Sequence, residues 1–252
     1  MISSQLRWQP QKLHQNVLVR TAILPIELTW QTLHYDHTDF TGIWLGSFES
    51  DNEVQDNPIT MLTRFDSGGF VPLHGHPGGE EILVLQGNFV DETGKYPPGS
   101  YLLNPDGFVH LPHSEEGCLS FVKLGQHGGK TRQQVNLNIY ELPWQASVIP
   151  QVDVKPLYEQ AGFPEKVWIE RWQAGTTFSN IVETEVKEIF VIEGTLSDEL
   201  GNYPAGSWLR YPPGCSYNPS SITGCMIYVK TYPKDTRRFI FEENSSDLAY
   251  GA

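Results

Sequence analysis

Cysteine is scarce: Cys118, Cys215 and Cys225 are the only three, and none forms a C-x-x-C pair. That excludes a disulfide framework, a thioredoxin-like redox motif and a zinc ribbon, and it suits a reducing compartment. Long apolar runs are missing too. Nothing approaches the roughly 20 residues that cross a bilayer. The opening stretch MISSQLRWQP has no basic segment followed by an apolar one, so no secretory leader is expected. Basic residues are few: 17 Lys and Arg stand against 30 Asp and Glu, for a net charge of -13. Such a surface repels phosphate backbones and anionic headgroups, which excludes nucleic acid and membrane surfaces as expected partners. The expected location is the cytoplasm. No long amphipathic helix is visible, no phosphate loop ends in Lys-Ser/Thr, and no G-x-S-x-G elbow occurs.

The chain does hold 23 glycines and 18 prolines in 252 residues, which favours short strands joined by tight turns. It also repeats itself. Offset by 107 positions, GGFVPLHGHPGGEEILVLQG (68–87) lies over GTTFSNIVETEVKEIFVIEG (175–194). DETGKYPPGSYLLNPDGFVH (91–110) lies over DELGNYPAGSWLRYPPGCSY (198–217), and GCLSFVK (117–123) over GCMIYVK (224–230). Gly87/Gly194, Gly99/Gly206, Pro105/Pro212 and Gly107/Gly214 stay in register, which shared composition does not produce. A period this long marks a duplicated domain rather than a solenoid. Residues 1–135 are expected to form the first copy and 136–252 the second. The polar, Gly-rich GQHGGKTRQQ (125–134) reads as the joint, and SDNEVQDNP (50–58) as an interruption in the first copy. Short apolar runs such as EILVLQG and CLSFVKL, bounded by turn residues, predict an all-β class. Ile82 and Val84, with Ile189 and Val191 in the second copy, are expected to point inward in phase with Glu80. Cys118 and Cys225 share a late strand and are expected in the core.

His74 and His76 are two apart, so on a strand both imidazoles project from one face. Glu80 follows a Pro-Gly-Gly turn and opens the next strand. His110 follows Pro105 and Gly107 and falls on another. Three imidazoles and a carboxylate suit Fe, Mn, Ni, Zn or Cu, and leave positions open on a six-coordinate ion. An H-x-H alone is more often a surface or core pair. Glu80 and Glu81 compete for the carboxylate place. The second copy keeps Glu188 opposite Glu81 but none of the histidines, which marks Glu81 as structural and favours Glu80. In that copy Ile181, Glu183, Lys187 and Tyr217 stand where His74, His76, Glu80 and His110 stand. A lysine there opposes a cation, so the second copy is expected to be metal-free, with Lys187 paired to Glu183. His14, His34, His37 and His127 sit in polar contexts that ask for no role. His113 reads as a surface loop residue near His110.

The pattern Gly68-x5-His74-x-His76-x3-Glu80-x6-Gly87 resembles the first motif of the cupin superfamily, and Gly99-x5-Pro105-x-Gly107-x2-His110 the second. Ser114 stands where that second motif ends in Asn, a position outside the ligand set. HGHPGGEEILVLQG and HLPHSEEGCLSFVKL, with the Asp-Glu turn and Tyr-Pro-Pro-Gly-Ser between them, resemble the ChrR-type cupins over about sixty residues of each half. The resemblance implies two tandem jelly-roll barrels. It also implies one divalent transition metal per chain (Fe, Mn, Zn or Ni) on His74, His76, Glu80 and His110, and a small-molecule ligand or substrate in the N-terminal barrel. Many cupins are dioxygenases, so a non-haem Fe(II) or Mn(II) dioxygenase acting on a small oxygenated organic molecule is expected. The second expectation is a ligand or oxidant sensor without catalysis. The family's anti-sigma factor uses a separate helical zinc domain with a His and a C-x-x-C. Neither is present in this sequence, so direct sigma-factor inhibition is not expected. The second barrel is expected to serve as scaffold or as a homodimer contact. No catalytic residue beyond the ligands, and no organic cofactor, is legible.

Overall fold

The structure, a computed structural model, describes residues 18–35, 38–49, 58–129 and 131–236. His14 and His37, and nearly all of the 50–58 stretch, lie outside the described residues. The elements formed by the described residues are β-strands and one 3-10 turn, Pro25–Glu27. No helix is long and apolar enough to cross a membrane.

The chain divides into two compact units. In the first, the main sheet runs Val135–Asn138, Ser100–Asn104, Glu80–Gly87, Cys118–Leu124, Ile59–Phe65, Thr38–Glu49, Trp30–Tyr35. In the second it runs Thr21–Ile23, Trp208–Tyr211, Val186–Asp198, Cys225–Tyr232, Lys166–Trp172, Val152–Glu159, Gln145–Ala146. The four central strands correspond at the 107-residue offset. Shorter strands form the opposing layer. In the first unit these are the pair His74–Gly75 with Val109–His110 and a four-stranded set built on Gly69–Phe70 and His113–Ser114. In the second unit Ile181–Val182 pairs with Ser216–Tyr217 in the same way. Each unit is thus a two-layered jelly roll, as the resemblance implies, and the two share one strand plan, as the repeat predicts.

Side-chain alternation decides what each layer buries. Ile82 and Val84 join Leu102, Val122, Phe89 and Phe65 in the first core. Ile189 and Val191 join Leu209, Val229 and Trp172 in the second. Each of these side chains is nearly or fully buried, and taking one from water contributes about 2 kcal/mol. Cys118 and Cys225 lie in the same two cores.

A contiguous division at residue 135 misses one feature. Thr21–Ile23, near the start of the chain, pairs with Trp208–Tyr211 and so belongs to the second unit's sheet. Val135–Asn138 holds the matching edge of the first unit, against Ser100–Leu103. Each edge strand offers a row of backbone groups that must be paired, and the strand that pairs them is set by proximity rather than by repeat boundaries.

Candidate metal centre

The strands that carry the candidate ligands are adjacent in space because the short layer pairs them. His110 lies directly opposite His74 in the antiparallel register, with Val109 opposite Gly75. Alternation sends His74 and His76 to the same side. Between His76 and Glu80 the chain turns on Gly78 and Gly79, both at positive φ (72° and 73°). A Cβ on Gly79 would stand 2.8 Å from the Asn104 carbonyl oxygen and 2.9 Å from that of His127, so only glycine fits. The second copy has Glu185 and Val186 at these places, where the chain bends without positive φ.

The four side chains converge. His110 Nε2 lies 3.4 Å from His76 Nε2. The two Glu80 oxygens lie 3.5 Å from His76 Nε2 and 3.5 Å from His110 Nε2. One ring nitrogen from each of His74, His76 and His110 falls within 4.8 Å of the others. Metal–nitrogen and metal–oxygen bonds of about 2.0–2.2 Å place neighbouring donors about 3 Å apart and opposite donors about 4 Å apart, so the 3.4–3.5 Å separations fall inside that range and the His triad, at up to 4.8 Å, would draw in slightly around an ion.

The supporting hydrogen bonds agree with that use. The Nδ1–H of His74 donates to the Pro72 carbonyl at 2.7 Å, which leaves Nε2 as the lone-pair atom. Asn104 donates to Glu80 Oε2 at 3.3 Å, and Gln134 donates to Asn104 Oδ1 at 3.1 Å. Burial, reinforced by the neighbouring imidazoles, pushes His74 down to about 4, so it is neutral at neutral pH. Burial and the nearby His110 push His76 down to about 3, with the same result. Burial raises Glu80 against the opposing pull of His110 and His74. Burial also works against a charged His110, but the Asp91 and Glu80 carboxylates outweigh it and hold that imidazole above its ordinary value.

Glu81 points elsewhere. It accepts a hydrogen bond from the Tyr101 hydroxyl at 2.9 Å and pairs with His127 Nε2 at 2.8 Å, both deeply buried. Its counterpart Glu188 likewise accepts from the Tyr232 hydroxyl. Glu80→Gln is therefore expected to lower metal content with little change in the melting temperature of the metal-free protein. Glu81→Gln should lower that melting temperature and leave metal content near one equivalent. Elemental analysis and thermal denaturation of both variants check this, and the reverse ranking would assign the ligand to Glu81.

Sequence reasoning missed several residues. His127 is fully buried rather than idle, and the stretch expected to be a loose joint is packed onto the ligand turn. Its Gly125 and His127 amides donate to the Gly79 and Gly78 carbonyls, and Arg132 Nε donates to the His127 carbonyl at 3.1 Å. Asn104 and Gln134 carried no signal, because their role depends on a contact across the sheet. His113 sits in the strand opposite Phe70, partly exposed and outside the cluster.

In the second unit the four replaced positions form a different cluster. The Tyr217 hydroxyl donates to Glu183 Oε1 at 2.6 Å, and Lys187 Nζ lies 3.3 Å from the same oxygen. Ile181 faces Tyr217 across the strand pair, where His74 faces His110. The expected pairing of Lys187 with Glu183 is present.

Comparison with known proteins bears on both units. The family described as the ChrR cupin-like domain matches residues 25–128 and again 132–235. The anti-sigma-E factor ChrR of Cereibacter sphaeroides is 41% identical over 59 residues, which cover 23% of this chain and 28% of that protein. Among solved structures, a Nostoc punctiforme protein described as a candidate dioxygenase superposes with a TM-score of 0.70 at 11% identity, covering 87% of this chain and 84% of its own. Escherichia coli YlbA gives 0.64 at 14% identity, with 88% and 95% covered. Bacillus subtilis oxalate decarboxylase, a protein with Mn(II) centres, gives 0.60 at 11% identity, with 89% and 80% covered. At these identities the structural likeness speaks to the fold.

Proposed function

The chain belongs to the ChrR cupin-like family in both of its repeats, and on that footing we propose that its N-terminal barrel is a mononuclear metal centre. The ligands are His74, His76, Glu80 and His110, and the activity is a non-haem dioxygenase or related reaction on a small oxygenated organic molecule. The observation that carries this reading is the convergence of His76, His110 and Glu80 at 3.4–3.5 Å, with the His74 ring nitrogen within 4.8 Å, beside a turn that only glycine can make. Fe(II) or Mn(II) held there would supply Lewis acidity and one-electron chemistry toward dioxygen.

The chain's own residues do the rest. Pro72 fixes the tautomer of His74, and Asn104 steadies the Glu80 carboxylate. Phe108 and Phe89, with ring centroids 5.6 and 6.2 Å from His110, keep water from that ligand. A substrate with adjacent keto or enol oxygens would suit the positions that four protein ligands leave open on a six-coordinate ion. The test is oxygen uptake by anaerobically purified protein loaded with Fe(II) or Mn(II), across a panel of diketones and phenolic ketones. Consumption with at least one compound, lost in His76→Ala, is expected. No uptake across the panel by metal-loaded protein would remove the enzyme reading.

One observation favours a second reading: the relative with 41% identity is an anti-sigma factor. In that case the same centre binds a ligand or oxidant without turnover. Thermal shifts on adding panel compounds, with no oxygen consumed, would identify it.

A further inference from the structure

The duplication supplies an internal control for Asp91, a residue present in both copies. In the first unit, Asp91 Oδ1 accepts the Thr93 amide at 2.8 Å and the Thr93 hydroxyl at 2.6 Å, which closes the hairpin turn. Its counterpart Asp198 does the same work: Oδ1 accepts the Leu200 amide at 2.8 Å. The turn therefore explains why an aspartate stands at both positions.

The second oxygen has a different partner in each copy. Asp198 Oδ2 accepts the Tyr211 hydroxyl at 2.8 Å and pairs with Arg20 at 2.5 Å. Asp91 Oδ2 instead faces His110 Nδ1 at 3.6 Å, with both side chains about 1% exposed. That nitrogen is buried and makes no hydrogen bond within ordinary length among the described residues. The partner of this oxygen changes where the metal ligands change. His74 has only a neutral carbonyl behind its ring, whereas His110 has a carboxylate.

We propose that Asp91 is the positioning residue for His110. Its Oδ2 accepts a hydrogen bond from Nδ1–H as the centre closes on an ion, which fixes Nε2 as the donor atom and makes His110 the strongest imidazole ligand of the three. A carboxylate behind a ligating imidazole raises ligand basicity, and losing such a partner typically weakens metal binding by about 10–100-fold. The proposal rests on the metal centre described above.

The substitution that separates the two roles is Asp91→Asn. Its carbonyl oxygen can still cap Thr93, while its amide would point a donor at Nδ1 and favour the wrong tautomer. Co(II) is the probe, titrated into metal-free protein and followed by its visible absorption spectrum. Asp91→Asn is expected to bind at least tenfold more weakly, with a shifted spectrum. Thr93→Ala, which disturbs the same turn, should bind within threefold of wild type, and Asp198→Asn should match wild type. Wild-type affinity and spectrum in Asp91→Asn would overturn the proposal, and so would an equal loss in Thr93→Ala, since the turn alone would then account for it. His110→Ala separates the two levels: undiminished Co(II) binding in that variant would sink the metal centre itself, not merely the role of Asp91.

Discussion

His76→Ala is expected to abolish tight metal binding and to lower the melting temperature of the first unit by about 10 °C. The argument is linkage. A metal that binds only the folded barrel stabilises it by about 4 kcal/mol when present at about a thousand times its dissociation constant. For a protein of this size, each kcal/mol moves the midpoint by roughly 2–4 °C. His76 sits at the centre of the cluster: its Nε2 lies 3.4 Å from His110 Nε2 and 3.5 Å from Glu80. Removing it takes one donor from the set and leaves Glu80 facing one imidazole instead of two. The internal control is a chelator. Metal-free wild type and His76→Ala should melt within a few degrees of each other, because His76 is uncharged and its side chain is partly exposed rather than part of the apolar core. A difference that survives chelation would mean that His76 acts through packing.

The second large effect is expected in the second repeat. Lys187→Ala should destabilise the second unit by about 3 kcal/mol, read by chemical or thermal denaturation. Lys187 and Glu183 are mostly buried and 3.3 Å apart, and Glu183 also accepts from Tyr217. Removing the ammonium strands a carboxylate in a poorly solvated place, which costs more than the pair itself contributes. The Tyr217 hydrogen bond offsets part of that cost. The double substitution Glu183→Leu with Lys187→Met should restore most of the loss, since matched apolar groups replace a buried pair nearly neutrally. Single and double variants that are equally stable to within about 0.5 kcal/mol would show that the pair is a bystander. In this picture the lysine ammonium is a tethered cation standing where the first repeat would hold an ion.

These two sites also show what the sequence makes legible. The offset of 107 aligned glycines and prolines that set turns, and turns fix which residues share a strand. Once strands are known, period-two alternation places His74 with His76, and Ile82 and Val84 with Glu80. Glu81 could be set aside because its counterpart survives where the histidines do not, and its bonds to Tyr101 and His127 give the physical reason. What stayed hidden depends on contacts between residues far apart in the chain. Asn104 meets Glu80 across a sheet register, and Gln134 meets Asn104 from a stretch that composition reads as a linker. His127 looks idle in a Gly-rich run because nothing local says that the run folds back over Gly78 and Gly79. The pairing of Thr21–Ile23 with the second unit's sheet is equally silent, since an edge strand carries no mark of its partner.

Elemental analysis of the purified protein bears most directly on the central claim. Among the described residues, the first repeat brings three imidazoles and a carboxylate together, while the second fills the same positions with Ile181, Glu183, Lys187 and Tyr217. One equivalent of tightly bound divalent metal per chain is the predicted result, falling to near zero in His74→Ala. Two equivalents in the wild type, with one of them persisting in His74→Ala, would contradict it.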